Sequence, residues 1–193
     1  MNALLATTYF GPVQWYQKLY RAESVTIDAD ELFVKQSFRN RCYIAAANGV
    51  QALTVPIEKA RQTRNVRISN HGDWRRVHWN AIVSAYGESP FFEYYQDDLR
   101  PFYEQRWDYL YDFNEAICQV VCNLIDIQPH ISASPNSPIT DYRMAINPKH
   151  PASDDDFRPK LYYQVYAERY GFQPNLSVLD LLLNMGPESI FYL

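Results

Sequence analysis

No run of apolar residues in this chain approaches the ~18 that a bilayer-spanning helix needs, so membrane insertion is not expected. The opening Met1-Asn-Ala-Leu-Leu-Ala6 lacks the basic start and long apolar core of a secretory signal, and it reads as the first strand of a cytoplasmic protein. Cysteine is scarce and odd in number, at Cys42, Cys118 and Cys122. The last two stand one helical turn apart, an awkward separation for a disulfide, and no histidine or further cysteine lies nearby. They read as small buried hydrophobes rather than metal ligands. The four histidines, His71, His78, His130 and His150, share no zinc-ligand spacing, and no metal is expected. P-loop, serine-nucleophile, catalytic-cysteine and Gly-rich dinucleotide motifs are all missing, and nothing points to a particular cofactor. There is no internal repeat.

The 193 residues, 47% of them hydrophobic, suit one α/β domain over residues 1–193 with a substantial core. Sixteen tyrosines raise the aromatic share to 16%. A tyrosine buries its ring and keeps its hydroxyl wet, so these residues fit either a core and its rim or the wall of a polar pocket. The net charge of −4 conceals a division. Lys35, Arg39, Arg41, Lys59, Arg61, Arg64, Arg67, Arg75 and Arg76 face only Glu58 and Asp73 in their stretch, whereas over residues 88–115 eight acids face only Arg100 and Arg106. A basic segment inside an acidic chain points to a local anionic ligand rather than a nucleic-acid surface. Solvated faces, or mutual neutralisation of the two segments, fit the same pattern.

Along the chain, Leu4–Thr8 is β-compatible, Tyr9-Phe10-Gly11 turns, Pro12 opens a helix to Tyr20 with Val13, Tyr16 and Tyr20 on one face, and Ser24–Asp28 is a second strand. This is a β-turn-α-β unit with a parallel pair, whose carboxyl ends place Thr8, Tyr9, Gln14 and Asp28 on one rim. Asn48-Gly49 between two β-compatible runs predicts an inserted hairpin with a type I′ turn and positive φ at both residues. Val66–Ile68 is a candidate short strand. Trp74, Val77, His78, Ala81, Ile82, Ala85 and Tyr86 recur at helical spacing, predicting a helix over 74–86 capped by Asp73 and closed by a left-handed Gly87. Ser89 and Pro90 start another turn before an aromatic block. Trp107–Ile125 is a long helix with Leu110, Phe113, Ile117, Val121 and Leu124 inward, and His130–Ser134 is a candidate last strand. Residues 135–159, with five prolines, form an irregular connection of the kind that is functional or mobile. Helices over 160–170 and from Ser177 to Gly186 complete several packed helices in the second half.

The best chemical constellation is Asp28, Asp30, Lys35, Arg39, Asn40 and Arg41, joined by Lys59 after the hairpin. The cations can neutralise phosphate, with arginine offering two parallel bonds. The hairpin brings Lys35, Arg39, Arg41 and Lys59 to one end. Gln14 and Tyr86 are further candidate substrate contacts. His78 or Asp28 is the candidate for moving a proton. A charged loop exposed to water and a hydrogen-bonded core histidine are the plainer readings of the same residues.

Several segments together resemble the WbqC-like family: Tyr9-Phe-Gly-Pro-Val-Gln14, Lys35–Ile44, Leu53-Thr-Val-Pro-Ile57, His78–Tyr95, Asn175–Glu188 and Tyr192-Leu193. The resemblance implies a role in O-antigen and related surface-polysaccharide (lipopolysaccharide) biosynthesis, with glycine transfer suggested for some members. It lends no catalytic residue with an assigned role. The reading that follows is a cytoplasmic transferase acting on a nucleotide- or phosphate-bearing sugar precursor. A non-catalytic scaffold using the aromatic run Phe91–Tyr103 is the alternative. A nucleotidyltransferase-like domain is a third, resting on fold analogy.

Overall fold

Leu5 and Ala3 are completely buried because the strand that carries them, β1 (Asn2–Ala6), lies in the middle of a three-stranded sheet. A computed structural model describes residues 1–135 and 137–193. On one side of β1 is β2 (Ser24–Asp28), parallel, with Ala6 opposite Asp28. On the other is β5 (Ile139–Asp141), also parallel, with Leu4 opposite Asp141. The expected β-turn-α-β unit is therefore present, joined through α1 (Val13–Arg21). The third strand is not His130–Ser134, where only Ile131 bridges to Val25, but a segment of the proline-rich connection. Its place at the sheet edge beside β1 could not be read from three residues of unremarkable composition.

The turn into α1 is tight. Phe10 is buried with φ +40, and a Cβ on Gly11 would collide with the side chain of Thr8, so glycine is required there. The helix is enclosed on nearly all sides, with every residue from Val13 to Leu19 buried. The expected single apolar face does not hold: Tyr20 is 45% exposed, whereas Lys18 is only 1% exposed. Lys18 is accommodated because Asp154 meets its Nζ at 2.9 Å, with both side chains buried. Thus the 135–159 connection, of which residue 136 lies outside the described residues, is docked to the body by a buried ion pair.

The inserted hairpin pairs β3 (Arg41–Ala46) antiparallel to β4 (Gly49–Thr54). Its turn differs from expectation. Ala47 and Asn48 form the two-residue turn and Gly49, at φ +109, pairs with Ala46, while Asn48 is not among the positive-φ residues. The asparagine thus takes an ordinary turn position and only the glycine takes the conformation that glycine favours.

The helix predicted over 74–86 is α2 (Trp74–Tyr86). Trp74, His78, Ile82, Ala85 and Tyr86 are buried as the spacing requires, but Val77 is 56% exposed, at the edge of the stripe. Its ends differ as well. Asp73 makes no side-chain cap and instead pairs with Arg76, and Gly87 is right-handed at φ −55. After α3 (Phe92–Leu99), which begins two residues later than Pro90 suggests, come α4 (Pro101–Glu104) and α5 (Leu110–Ile125). Lys160–Tyr170 is mostly irregular, with only α6 (Ala167–Tyr170) helical, before α7 (Val178–Met185) capped by Ser177. One continuous apolar cluster runs from Ala3 and Leu5 through Phe113 and Ile117 to Leu181 and Leu193. Among the described residues no helix is long and apolar enough to cross a membrane.

Candidate functional site

The base of the hairpin is built around Asn40. Its backbone oxygen accepts from Val55 N at 2.8 Å, and its Nδ2 donates to the Val55 carbonyl at 2.9 Å, so the side chain extends the ladder by one rung. That bond fixes the amide, and Oδ1 is left buried with no hydrogen-bond partner. One residue on, Arg41 lies opposite Thr54 and its Nε donates to Thr54 Oγ1 at 2.8 Å. Phe33 N donates to the Arg61 carbonyl, closing residues 33–41 against 54–61.

Between these two segments is a cavity of about 490 Å³. Three of its lining residues are cations (Lys35, Arg41, Lys59), three are neutral and polar (Gln36, Asn40, Thr54) and three are apolar (Phe33, Ile57, Ala60). Gln36 holds a left-handed φ of +56, a strained position for a residue with a side chain. Among the described residues none of the three cations has an ion-pair partner, whereas Lys18, Arg39, Arg64 and Arg143 all do. Like charges around a concave wall focus a positive potential on its interior, and an unmatched acceptor beside them costs free energy until a donor fills it.

Of the residues singled out in the sequence, Lys35, Asn40, Arg41 and Lys59 meet at this cavity, and the others do not. Arg39 is buried and turned away, its Nε and Nη2 each 2.6 Å from a carboxylate oxygen of Glu31. Asp28 and Asp30 stand near the carboxyl end of the sheet. Asp28 Oδ1 accepts from the backbone of Asp30 and Glu31, and its Oδ2 pairs with Arg143 at 2.8 Å. Arg143 also binds Asp141, so it ties the two outer strands together, while Asp30 pairs with Arg64. Every strong acceptor of Asp28 is occupied by its own fold.

The expected rim of Thr8, Tyr9, Gln14 and Asp28 is not formed. Tyr9 is fully buried, and Gln14 Nε2 donates to Asp154 at 2.8 Å while Asn175 binds its backbone and its Oε1. Tyr86 also lies inside, where its hydroxyl donates to Asp180 at 2.9 Å and accepts from Ala45 N. Tyr162 and Gln164 complete the donors around Asp180, which burial nonetheless pushes above the usual carboxylate range.

His78 does not line the cavity; it is 4% exposed, edge-on to Trp74 at a ring-centroid distance of 5.1 Å. Burial pushes its pKa down to about 4, with a backbone hydrogen bond to Thr54 acting the other way. A neutral ring that spends its N–H on the Thr54 carbonyl has Nδ1 free to accept, so Tyr9 donates to it at 2.9 Å and Tyr103 donates to Tyr9 at 2.6 Å. The imidazole therefore stands one layer behind the cavity wall, holding Thr54, whose hydroxyl holds Arg41.

Sequence reasoning missed the apolar floor of Phe33, Ile57 and Ala60, and also Gln36 and Thr54, although all five lie in the segments that carry the cations. It also missed the Lys18–Asp154 and Tyr86–Asp180 pairings, whose members are 136 and 94 residues apart. No short-range pattern carries such a signal. Among the described residues no group of three or more His, Cys, Asp or Glu is placed to hold a metal ion.

The uncharacterised protein Rv1507c of Mycobacterium tuberculosis is 24% identical over an alignment of 222 positions that takes in 99% of this chain and 96% of that protein. No solved structure matches significantly. A family model described as the WbqC-like protein family matches residues 7–149, a span that contains α1, the hairpin, every residue lining the cavity, and His78. The chain belongs to the WbqC-like protein family.

Proposed function

We propose that the hairpin-base cavity is the substrate site of a cytoplasmic transferase of surface-polysaccharide biosynthesis, O-antigen or lipopolysaccharide included, that takes a nucleotide- or phosphate-bearing sugar precursor. The observation that carries this reading is the set of three cations without ion-pair partners, Lys35, Arg41 and Lys59, around one concave wall. A phosphate relieves their mutual repulsion and accepts hydrogen bonds from all three. The unmatched Oδ1 of Asn40 suits a hydroxyl or N–H donor of the sugar or base, and Phe33 with Ile57 gives the ring an apolar surface. In this reading Lys35, Asn40, Arg41 and Lys59 bind. His78 positions Thr54 and through it Arg41. Among the described residues no carboxylate or imidazole lines the cavity, so its contribution is anion binding and charge stabilisation, with the attacking group brought by the second substrate.

The scaffold alternative has less support. Phe92, Leu99, Phe102 and Tyr103 are committed to the core, and of the aromatic run only Tyr94 is prominently exposed. The nucleotidyltransferase-like reading rests on the opening β-turn-α-β unit alone, and at the carboxyl end of its sheet Asp28 and Asp30 are paired with arginines.

The test is a thermal-shift screen of nucleotide sugars and sugar phosphates against the wild-type chain and a Lys35→Ala/Lys59→Ala variant. A ligand at a hundredfold its Kd adds about 2.7 kcal/mol to the wild type, and the double variant loses that gain. A ligand that stabilises both proteins equally would place the substrate elsewhere.

A further inference from the structure

The fold provides strong donors to nearly every carboxylate that it takes out of water. Glu31 is forked by Arg39, Asp154 receives Lys18 and Gln14, Asp28 receives Arg143, and Asp180 receives two tyrosine hydroxyls and an amide. Glu115 is the exception among the described residues. Its one hydrogen bond is from Thr7 Oγ1 at 3.5 Å, the outer limit of such a contact, and it has no ion-pair partner. It lines a cavity of about 470 Å³ between α5 and the chain that follows it, well separated in sequence from the hairpin-base site.

The remaining wall is neutral. Glu115, Cys118 and Cys122 follow one another at i, i+3 and i+7 on one face of α5, with the two sulfurs 3.9 Å apart. The hydrogen bond between the thiols and their burial both raise the Cys118 pKa, so that sulfur stays protonated. Ile127, Pro129 and Ile131 provide an apolar side, and Gln119 and Asn123 provide amides. The single formal charge available in a cavity of ligand size is thus a carboxylate that lacks a cation.

We propose that this cavity is a binding site for a small molecule carrying a primary ammonium group on a short apolar body, with Glu115 as its counter-ion. The ammonium gives Glu115 the strong donor that the other sheltered carboxylates have, its remaining N–H groups reach the amides, and the carbon chain lies along Ile127 and Ile131. Burial pushes the Glu115 carboxyl up to about 7, so a proton competes with the amine below that pH and leaves the site above it. This site is independent of the phosphate reading of the hairpin-base cavity, and either can fail without the other.

Titration calorimetry of the whole chain with n-butylammonium chloride, and with n-butanol as its neutral match, tests the proposal. The amine binds at pH 8.5, and binding weakens about tenfold or more at pH 5.5 and likewise in Glu115→Gln at either pH. Addition of butylammonium also lowers the apparent pKa of the Glu115 carboxyl followed by carbon NMR, a shift that a merely structural carboxylate does not give. The proposal is overturned if butanol binds as tightly as butylammonium, if Glu115→Gln binds the amine unchanged, or if neither probe binds.

Discussion

The carboxyl end of the parallel sheet and the base of the hairpin both gather arginine and lysine, yet they use them in opposite ways. At the sheet end Arg143 spans Asp28 and Asp141, Arg39 forks Glu31, and Arg64 holds Asp30. At the hairpin base Lys35, Arg41 and Lys59 surround a cavity with no acid among its lining residues. The contrast separates charges that serve the fold from charges that are available to a ligand. A paired charge desolvated by its own chain has little left to offer, whereas unpaired like charges are tolerated only beside solvent or an anion.

The difference is sharpest where a buried partner is removed. Glu31→Ala leaves the Arg39 guanidinium buried without a counter-ion, and urea denaturation should show a loss of about 3–5 kcal/mol. A small loss would mean that the sheet-end network is ornamental and that the distinction between the two regions fails.

Next in size is a pair of opposed pH effects. Glu115 has a raised pKa in the folded chain, so its contribution is full below the unfolded value near 4.5 and is lost as pH rises towards 7. His78 has a lowered pKa of about 4, so its contribution is full above 6.5 and is lost as pH falls towards 4. In the wild type the two offset each other across the same window. Glu115→Gln removes one of them. Its stability should rise between pH 4 and 6.5, and at pH 8 it should exceed that of the wild type by up to about 3 kcal/mol. A variant whose stability does not rise over that range would contradict the His78 environment, and one no more stable than the wild type at pH 8 would contradict that of Glu115.

These two regions also mark what could be read from the residues. The helix at 74–86, the hairpin and the opening parallel pair follow from local periodicity and turn chemistry, and they position the cavity. That Lys35, Asn40, Arg41 and Lys59 meet follows from antiparallel geometry, which a sequence can express. What it cannot express is which acid each cation finds. Arg39 lies two residues from Arg41 and is equally basic, but its side chain faces inward to Glu31 while Arg41 faces the cavity. His78 fits its helical register, yet its distance from the cavity depends on Thr54 in a different element. Lys18 looks like a solvated helix residue until Asp154 arrives from a proline-rich connection 136 residues away.

Turn chemistry gives a smaller effect. Gly49→Val forces a branched residue into φ +109 at the hairpin turn, and a loss of about 1–3 kcal/mol is expected on thermal denaturation. Asn48→Ala should cost less, because Asn48 does not need a left-handed backbone; equal losses would restore the type I′ turn. The smallest effect is that of Arg64→Ala. Its pair with Asp30 is more than half exposed on both sides, so stability should change by less than about 1 kcal/mol.

The measurement closest to the central claim is pyrophosphate titration of the wild type, Lys35→Ala/Lys59→Ala and Arg64→Ala at two salt concentrations. If the hairpin-base cations are held for an anion, the wild type binds at a single site that weakens with salt. In that case the double lysine variant loses about tenfold or more in affinity while keeping its stability, and Arg64→Ala binds as the wild type does. Equal binding by all three proteins, or a double lysine variant that unfolds, would contradict the account.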